Sequence, residues 1–143
     1  MATTRLRLTG VTKLQLVSAG LSLLPLAYVG YQVWGRGLGL SSRTLPLVAV
    51  AAVVALLPWV SRLYARANYR ASFDDLAVHF RGQALVYKTI TEAFIEKTAR
   101  TTLLILRRDD IAEMTLVLDD AFAGRLEPWE PLRQKLKDHG HDV

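Results

Sequence analysis

The sequence predicts a membrane α-helical hairpin followed by a small α+β domain, a β-meander that ends in an amphipathic helix. Three observations support this fold class. Two long stretches without charged residues lie in the first half, and all 13 acidic residues lie after Phe73. The second half shows the alternation of half-buried strands. The chain therefore divides into an N-terminal flank (1–13), a two-helix transmembrane hairpin with a basic exit segment (14–70) and a β-rich domain (71–143).

The charge is distributed as expected for a membrane anchor joined to a water-soluble domain. Residues 1–70 contain eight Lys and Arg and no acid, which gives +8, whereas residues 71–143 carry −3, and the chain has a net charge of +5. Positive charge beside apolar spans is a topology signal. Because the basic residues flank the spans and the domain itself is acidic, we expect no nucleic-acid partner.

The first predicted span covers residues 14–35, which include no charged side chain. As a helix it would be about 33 Å long, enough for a hydrocarbon core of about 30 Å. Lys13 and Arg36 bracket it, and Tyr28, Tyr31 and Trp34 lie near its far end, where aromatic rings favour the headgroup level. A cleaved signal peptide is the alternative, but this stretch is too long and no small-residue cleavage site follows it.

The second predicted span covers residues 44–61, with Pro46 in its first turn and Pro58 near its end. The loop 36–43 is short, so the two spans would form an antiparallel hairpin. Two buried helices of a soluble protein are the alternative, which the absence of acidic residues from the first 70 positions disfavours.

Basic residues in the short flanks predict the orientation of the hairpin. The N-terminal flank and the segment after the second span carry three each, whereas the loop carries two. We therefore expect an integral protein of the cytoplasmic membrane with both termini in the cytoplasm. Arg62, Arg66 and Arg70 recur every four residues, so a helix continuing out of the membrane would turn them toward anionic headgroups. Their alternative role is a topology signal alone.

Small residues in the second span predict a helix-packing surface. Ala49, Ala52 and Ala55 are spaced by three, and small residues let membrane helices approach closely. The row would pack either against the first span or against transmembrane helices of a partner.

Alternating residues predict four or five strands in the domain. The expected strands are 76–80, 84–90, 91–100, 101–107 and 111–118, with turns at Asp74-Asp75, Gly82-Gln83 and Arg108-Asp109-Asp110. Segment 91–100 is the ambiguous one, since its helix propensity is also good. A helix over 127–139 follows, with Trp129, Leu132 and Leu136 on one face.

Two transmembrane helices, then Leu76-Ala77-Val78 followed by Gly82, several strands and a terminal amphipathic helix resemble membrane-anchored bacterial proteins with a PH-like domain. The resemblance covers nearly the whole chain in layout and implies a strongly bent sheet capped by the last helix. Residues 90–95 only approximate the family's third-strand pattern. The resemblance implies no single function, because PH-like folds bind lipids, peptides and proteins.

The residues indicate no catalytic, cofactor or metal site. The chain has no Cys, which excludes thiolate chemistry. His79 is expected on a solvated strand face, and His139 and His141 belong to a C-terminal tail. The doublets Asp74-Asp75, Asp109-Asp110 and Asp119-Asp120 fall at expected turns, where Asp is favoured for its own backbone hydrogen bonds. We therefore expect no enzymatic activity and no cofactor.

Two functions fit this pattern. The first is an accessory subunit or scaffold of a larger membrane complex, for which respiratory and photosynthetic assemblies are common hosts. Its hairpin would pack on the integral subunits and its domain would clamp their cytoplasmic face. The second is an independent membrane-tethered module that binds lipid headgroups or a peptide.

Overall fold

The computed structural model describes residues 2–37, 39–109 and 111–143. It divides into a hairpin unit, Val11–Tyr64, and a sheet unit that combines the residues up to Gly10 with Ala65–Val143. The elements in chain order are β1 (Thr4–Thr9), α1 (Lys13–Gly30), a π-helical turn (Tyr31–Gly35), α2 (Leu45–Asn68), β2 (Ala71–Phe73), β3 (Ala77–Phe80), β4 (Gln83–Val86), a 3₁₀ turn (Tyr87–Thr89), β5 (Glu92–Lys97), β6 (Thr101–Arg108), β7 (Ile111–Asp120), β8 (Gly124–Glu127) and α3 (Trp129–Asp138). Two long apolar helices followed by an antiparallel sheet domain are thus confirmed.

The hairpin unit begins with a reciprocal cap on α1. The Gln15 backbone N–H donates to Thr12 Oγ1 at 3.2 Å, and the Thr12 N–H donates to Gln15 Oε1 at 3.0 Å. This capping box satisfies two backbone donors that the first turn leaves without helical partners. At the other end, Gly35 closes the π-helical turn, because a Cβ there would lie 2.8 Å from the Tyr31 ring.

Small residues lie where the two helices of the hairpin meet. Ser22 Oγ donates to the Ala55 carbonyl at 3.2 Å, and Ala51 and Ala55 are each only 4% exposed. Both helices are long and apolar enough to cross a membrane, yet only 17% and 11% of their most apolar windows are buried. The remaining apolar side chains therefore point outward, as Leu24 and Leu57 do.

The sheet unit contains eight antiparallel strands in the order β4-β3-β2-β1-β8-β7-β6-β5. Two meanders, β2 to β4 and β5 to β8, are joined by β1. The first half of β1 pairs with β2, so that Thr4 faces Phe73, and its second half pairs with β8, so that Thr9 faces Arg125. Gly124 is required at this junction, because its φ is +109° and a Cβ would lie 2.3 Å from the Thr9 carbonyl oxygen.

The core of the sheet unit lies between the inner face of the sheet and α3. Leu6 and Leu8 reach it from β1, and Leu132 and Leu136 of α3 are fully buried. Other buried members are Val78, Leu85, Tyr87, Leu104, Leu106, Met114, Leu116 and Leu126. Trp129, at the start of α3, packs against the core but is only partly buried, because the first turn lies at the rim of the helix contact.

The strand count differs from the predicted four or five. Segments β2 and β8, with three and four residues, are too short to show a period. β1 lies within the expected N-terminal flank, 1–13, where Arg5 and Arg7 count only as flanking charges in the sequence prediction. The expected strand in 91–100 is confirmed as β5, whereas 84–90 is a strand only to Val86. The chain then bends because the Tyr87 ring is drawn into the core, where its hydroxyl donates to the Asp74 carbonyl at 3.2 Å.

Candidate functional site

The small-residue row predicted in α2 is split by the helix geometry. Ala55 is buried at the contact with α1, Ala52 is half-buried and Ala49 is exposed. The neighbouring Ala51 takes the inward position instead, since residues four apart lie nearly above one another on a helix. Of the two roles expected for the row, packing against α1 thus involves Ala55, and packing against a partner's helices would involve Ala49.

The basic stripe predicted at Arg62, Arg66 and Arg70 is not one helical face. Because α2 ends at Asn68, Arg70 belongs to the connection with β2 and is exposed. Arg66, in the last turn of α2, is half-buried. Its Nε donates to the Ala123 carbonyl at 3.4 Å, and its Nη2 donates to the Gly10 carbonyl. Arg66 thus joins the chain after β1 to the β7–β8 turn, a structural role that its spacing in the sequence did not suggest.

A cationic groove of about 730 Å³ opens on the sheet unit. We call it the arginine groove, after the five arginines in its lining: Arg5, Arg7, Arg66, Arg70 and Arg81. Arg5 and Arg7 reach it because β1 alternates, burying Leu6 and Leu8 in the core and exposing the two arginines on the other face. Arg5, Ser72 and His79 of the lining lie opposite one another across β1, β2 and β3.

Backbone contacts hold the other arginines of the groove in place. Arg81 and Gly82 form the two-residue turn between β3 and β4, with φ of 50° and 84°, as a type I′ hairpin requires. The Arg81 N–H donates to the Arg70 carbonyl at 3.2 Å, which keeps these two residues adjacent. The Arg81 guanidinium also lies 5.1 Å from the centroid of the Phe80 ring, a cation–π distance.

Tyr69 supports one wall of the groove. Its ring lies 5.3 Å from that of Phe80, and its hydroxyl bonds both the carbonyl (3.3 Å) and the N–H (2.9 Å) of Val117. Burial raises the pKa of the Tyr69 hydroxyl to about 12, so the phenol keeps its proton even in alkaline solution. The wall is thereby tied to the middle of β7.

The lining of the groove contains no carboxylate. Glu127 faces Arg7 in the β1–β8 register but does not line the groove. Within residues 2–37, 39–109 and 111–143, no ion pair joins Arg5, Arg7, Arg70 or Arg81 to an acidic side chain. The groove is thus a concentration of positive charge on an otherwise acidic domain.

His79 also lines the groove, and its partner Asp74 organises the turn before β3. Asp74 Oδ2 lies 2.9 Å from His79 Nε2, while Oδ1 accepts from the N–H groups of Leu76 and Ala77 at 2.8 and 2.9 Å. The bond with His79, followed by the two backbone bonds, lowers the pKa of the Asp74 carboxyl to about 2. Asp74 is therefore ionised and committed to local structure, which confirms its expected turn role.

The other acidic doublets also serve turns or surface contacts. Asp120 Oδ1 accepts from the N–H groups of Phe122 and Ala123, and Asp75 pairs with Lys135 of α3. Asp109 has a positive φ of 52°, and the predicted turn residue Asp110 lies outside the described residues. In the described part of the chain, no three His, Asp or Glu side chains group closely enough to hold a metal ion.

Comparison with known proteins gives no relative. No protein family model matches the chain, and neither curated proteins nor solved structures match it.

Proposed function

We propose that this chain is a non-catalytic accessory protein of a membrane assembly, anchored by the hairpin and carrying the sheet unit on the cytoplasmic face. The outward apolar side chains of α1 and α2 support insertion. Leu24, Leu47 and Leu57 are 61%, 59% and 63% exposed, so most of each residue is not covered by the protein. A soluble protein would bury such helices, whereas lipid is the solvent that these faces match.

The pairing of β1 with β2 is the observation that carries the proposal furthest. β1 precedes the hairpin and β2 follows it, yet Thr4, Arg5 and Leu6 lie opposite Phe73, Ser72 and Ala71. If α1 and α2 cross a membrane, the two flanks must emerge on the same side to form this ladder. The basic residues of both flanks favour the cytoplasmic side.

The accessory role is supported by the faces of α1 and α2 that do not pack within the hairpin. Its own packing uses Ser22, Ala51 and Ala55, so the remaining faces, including Ala49, are available to lipid or to integral subunits of a partner. A sheet domain held close to such subunits would act as a clamp or scaffold on their cytoplasmic side.

The arginine groove favours a second candidate function, a membrane-tethered module that recognises anionic headgroups. A PH-like bent sheet, which the layout of the sequence resembles, would suit this function as well as the first. The two candidates share the same anchor and topology and differ in what the sheet unit contacts.

Thiol labelling tests the shared part of the proposal. The chain has no Cys, so Ser41→Cys and Asp142→Cys each introduce a single reporter. We expect an impermeant maleimide to label the Ser41→Cys variant on intact cells and the Asp142→Cys variant only after the membrane is opened. Labelling of position 142 but not 41 on intact cells would invert the topology, and recovery of the protein in the soluble fraction would refute the anchor.

A further inference from the structure

We propose that the arginine groove binds the phosphate of an anionic phospholipid headgroup. The inference rests on the proposed membrane anchor and adds to it a site with defined residues. The groove's volume of about 730 Å³ is within the range of small-molecule sites, about 300–1,000 Å³.

The charge of the groove calls for an anion. Arg5, Arg7, Arg70 and Arg81 contribute four guanidinium groups, and no carboxylate shares the lining. Clustered like charges repel one another, so an unliganded groove opposes folding and a bound anion removes that cost. Guanidinium groups bind phosphate oxygens through paired N–H donors, which is the geometry that arginine supplies better than lysine.

The groove is also held in shape before any ligand arrives. The bond from the Arg81 N–H to the Arg70 carbonyl fixes the spacing of those two residues. The register of β1 with β2 fixes Arg5 opposite Ser72, and both residues line the groove. A site whose backbone is already ordered loses less entropy when it binds.

The position of the groove along the chain favours a lipid source for the phosphate. Arg66 and Ala67 of the lining belong to the last turn of α2, directly after the exposed apolar residues Leu63 and Tyr64. A helix leaving a bilayer carries such residues through the interface, where aromatic and basic side chains meet the headgroups. A soluble phosphate compound would need no such placement.

Binding to the full-length protein in a neutral maltoside detergent tests this inference. Dioctanoyl phosphatidylglycerol is titrated and bound lipid is counted by native mass spectrometry, with dioctanoyl phosphatidylcholine, inorganic phosphate and glycerol 3-phosphate as parallel ligands. We expect phosphatidylglycerol to bind in preference to the other three. The double variant Arg5→Gln/Arg7→Gln should weaken that binding by at least about tenfold, because two charge-assisted contacts are lost.

A charge-matched control separates the groove from general attraction. Lys97→Gln/Arg100→Gln removes two exposed charges at the β5–β6 turn and should leave binding within about twofold. The pair Arg70→Gln/Arg81→Gln repeats the test from other elements, should the β1 variant fold poorly.

Three results would overturn the inference. If both groove variants bound phosphatidylglycerol as tightly as the wild type, the groove would not be the binding site. If the control variant lost as much binding as the groove variants, the attraction would be non-specific. Equal affinity for glycerol 3-phosphate or inorganic phosphate would make the groove a site for soluble phosphates. Because the assay is in detergent, these results are independent of the labelling experiment, which alone tests the anchor.

Discussion

The hairpin unit and the sheet unit use leucine in opposite ways. In the sheet unit, Leu104, Leu126 and Leu132 have no exposed surface, whereas in the hairpin Leu24 and Leu57 are more than 60% exposed. The same side chain is thus buried in a core in one unit and left on the surface in the other, where an apolar solvent would match it. Close packing stabilises the sheet unit, while the hairpin depends on a few small residues and on its surroundings.

The difference between buried and outward leucines should be largest when a leucine is truncated to alanine. Leu6→Ala removes a β1 side chain that is 1% exposed, and we expect it to lower the free energy of unfolding by about 2–5 kcal/mol. Leu24→Ala, at an outward position of α1, is the matched control and should change it by less than about 0.5 kcal/mol. Denaturant titration in detergent measures both, using Trp129 fluorescence after Trp34→Phe and Trp59→Phe. Equal effects would mean that the two units do not differ as described.

The same β1 residues show how far the sequence could predict this fold. Elements with long hydrophobic patterns could be predicted from the sequence. Both apolar helices, β5 to β7 and α3 follow the expected segments. Leu6 and Leu8 alternate with Arg5 and Arg7, but the strand they form is recognisable only with its partners. Those partners lie beyond the hairpin, with Ala71 65 residues after Leu6 and Leu126 118 residues after Leu8.

The arginine groove could not be predicted from the sequence, because its residues too are brought together only by the fold. Its lining joins β1, the end of α2 and the β3–β4 turn, and no local spacing relates Arg5 to Arg81. The regular spacing of Arg62, Arg66 and Arg70 suggested a helical stripe, whereas the helix ends between the second and the third. Tyr69 follows the helix directly, and its hydroxyl bonds Val117 of β7, a tertiary contact that the local spacing of the arginines does not reveal.

Alanine enlargement tests the difference between buried and outward positions within the hairpin itself. Ala55→Leu overfills the contact beside Ser22 and should destabilise the hairpin by about 1–3 kcal/mol, seen as a lower melting temperature in detergent. Ala49→Leu adds the same atoms on the exposed face and should leave that temperature unchanged.

Co-purification then uses the same two variants to test the accessory role. If the outward face of α2 docks on partner helices, Ala49→Leu should release the protein from its complex although the hairpin remains intact. Retention of the Ala49→Leu variant would assign that face to lipid. It would leave the headgroup-binding module as the better account.

The smallest predicted effect lies in the sheet unit and depends on pH. The pKa of Asp74 is lowered to about 2 by its bonds with His79, Leu76 and Ala77, below the value of about 3.9 expected in the unfolded chain. A lowered folded-state pKa contributes stability that is complete above the unfolded value and is lost as pH falls through the folded one. The melting temperature should therefore drop between about pH 4 and pH 2.

Asp74→Asn should flatten this drop, because an amide cannot take up the proton, whereas Asp142→Asn, at an exposed position near the C-terminus, should leave it unchanged. Melting curves of the two variants and the wild type across this pH range measure the difference. The hairpin has no acidic residue, so its own helical signal should stay constant over the same range. Loss of that helical signal together with the sheet would show that the two units unfold as one, which would contradict their separate sources of stability.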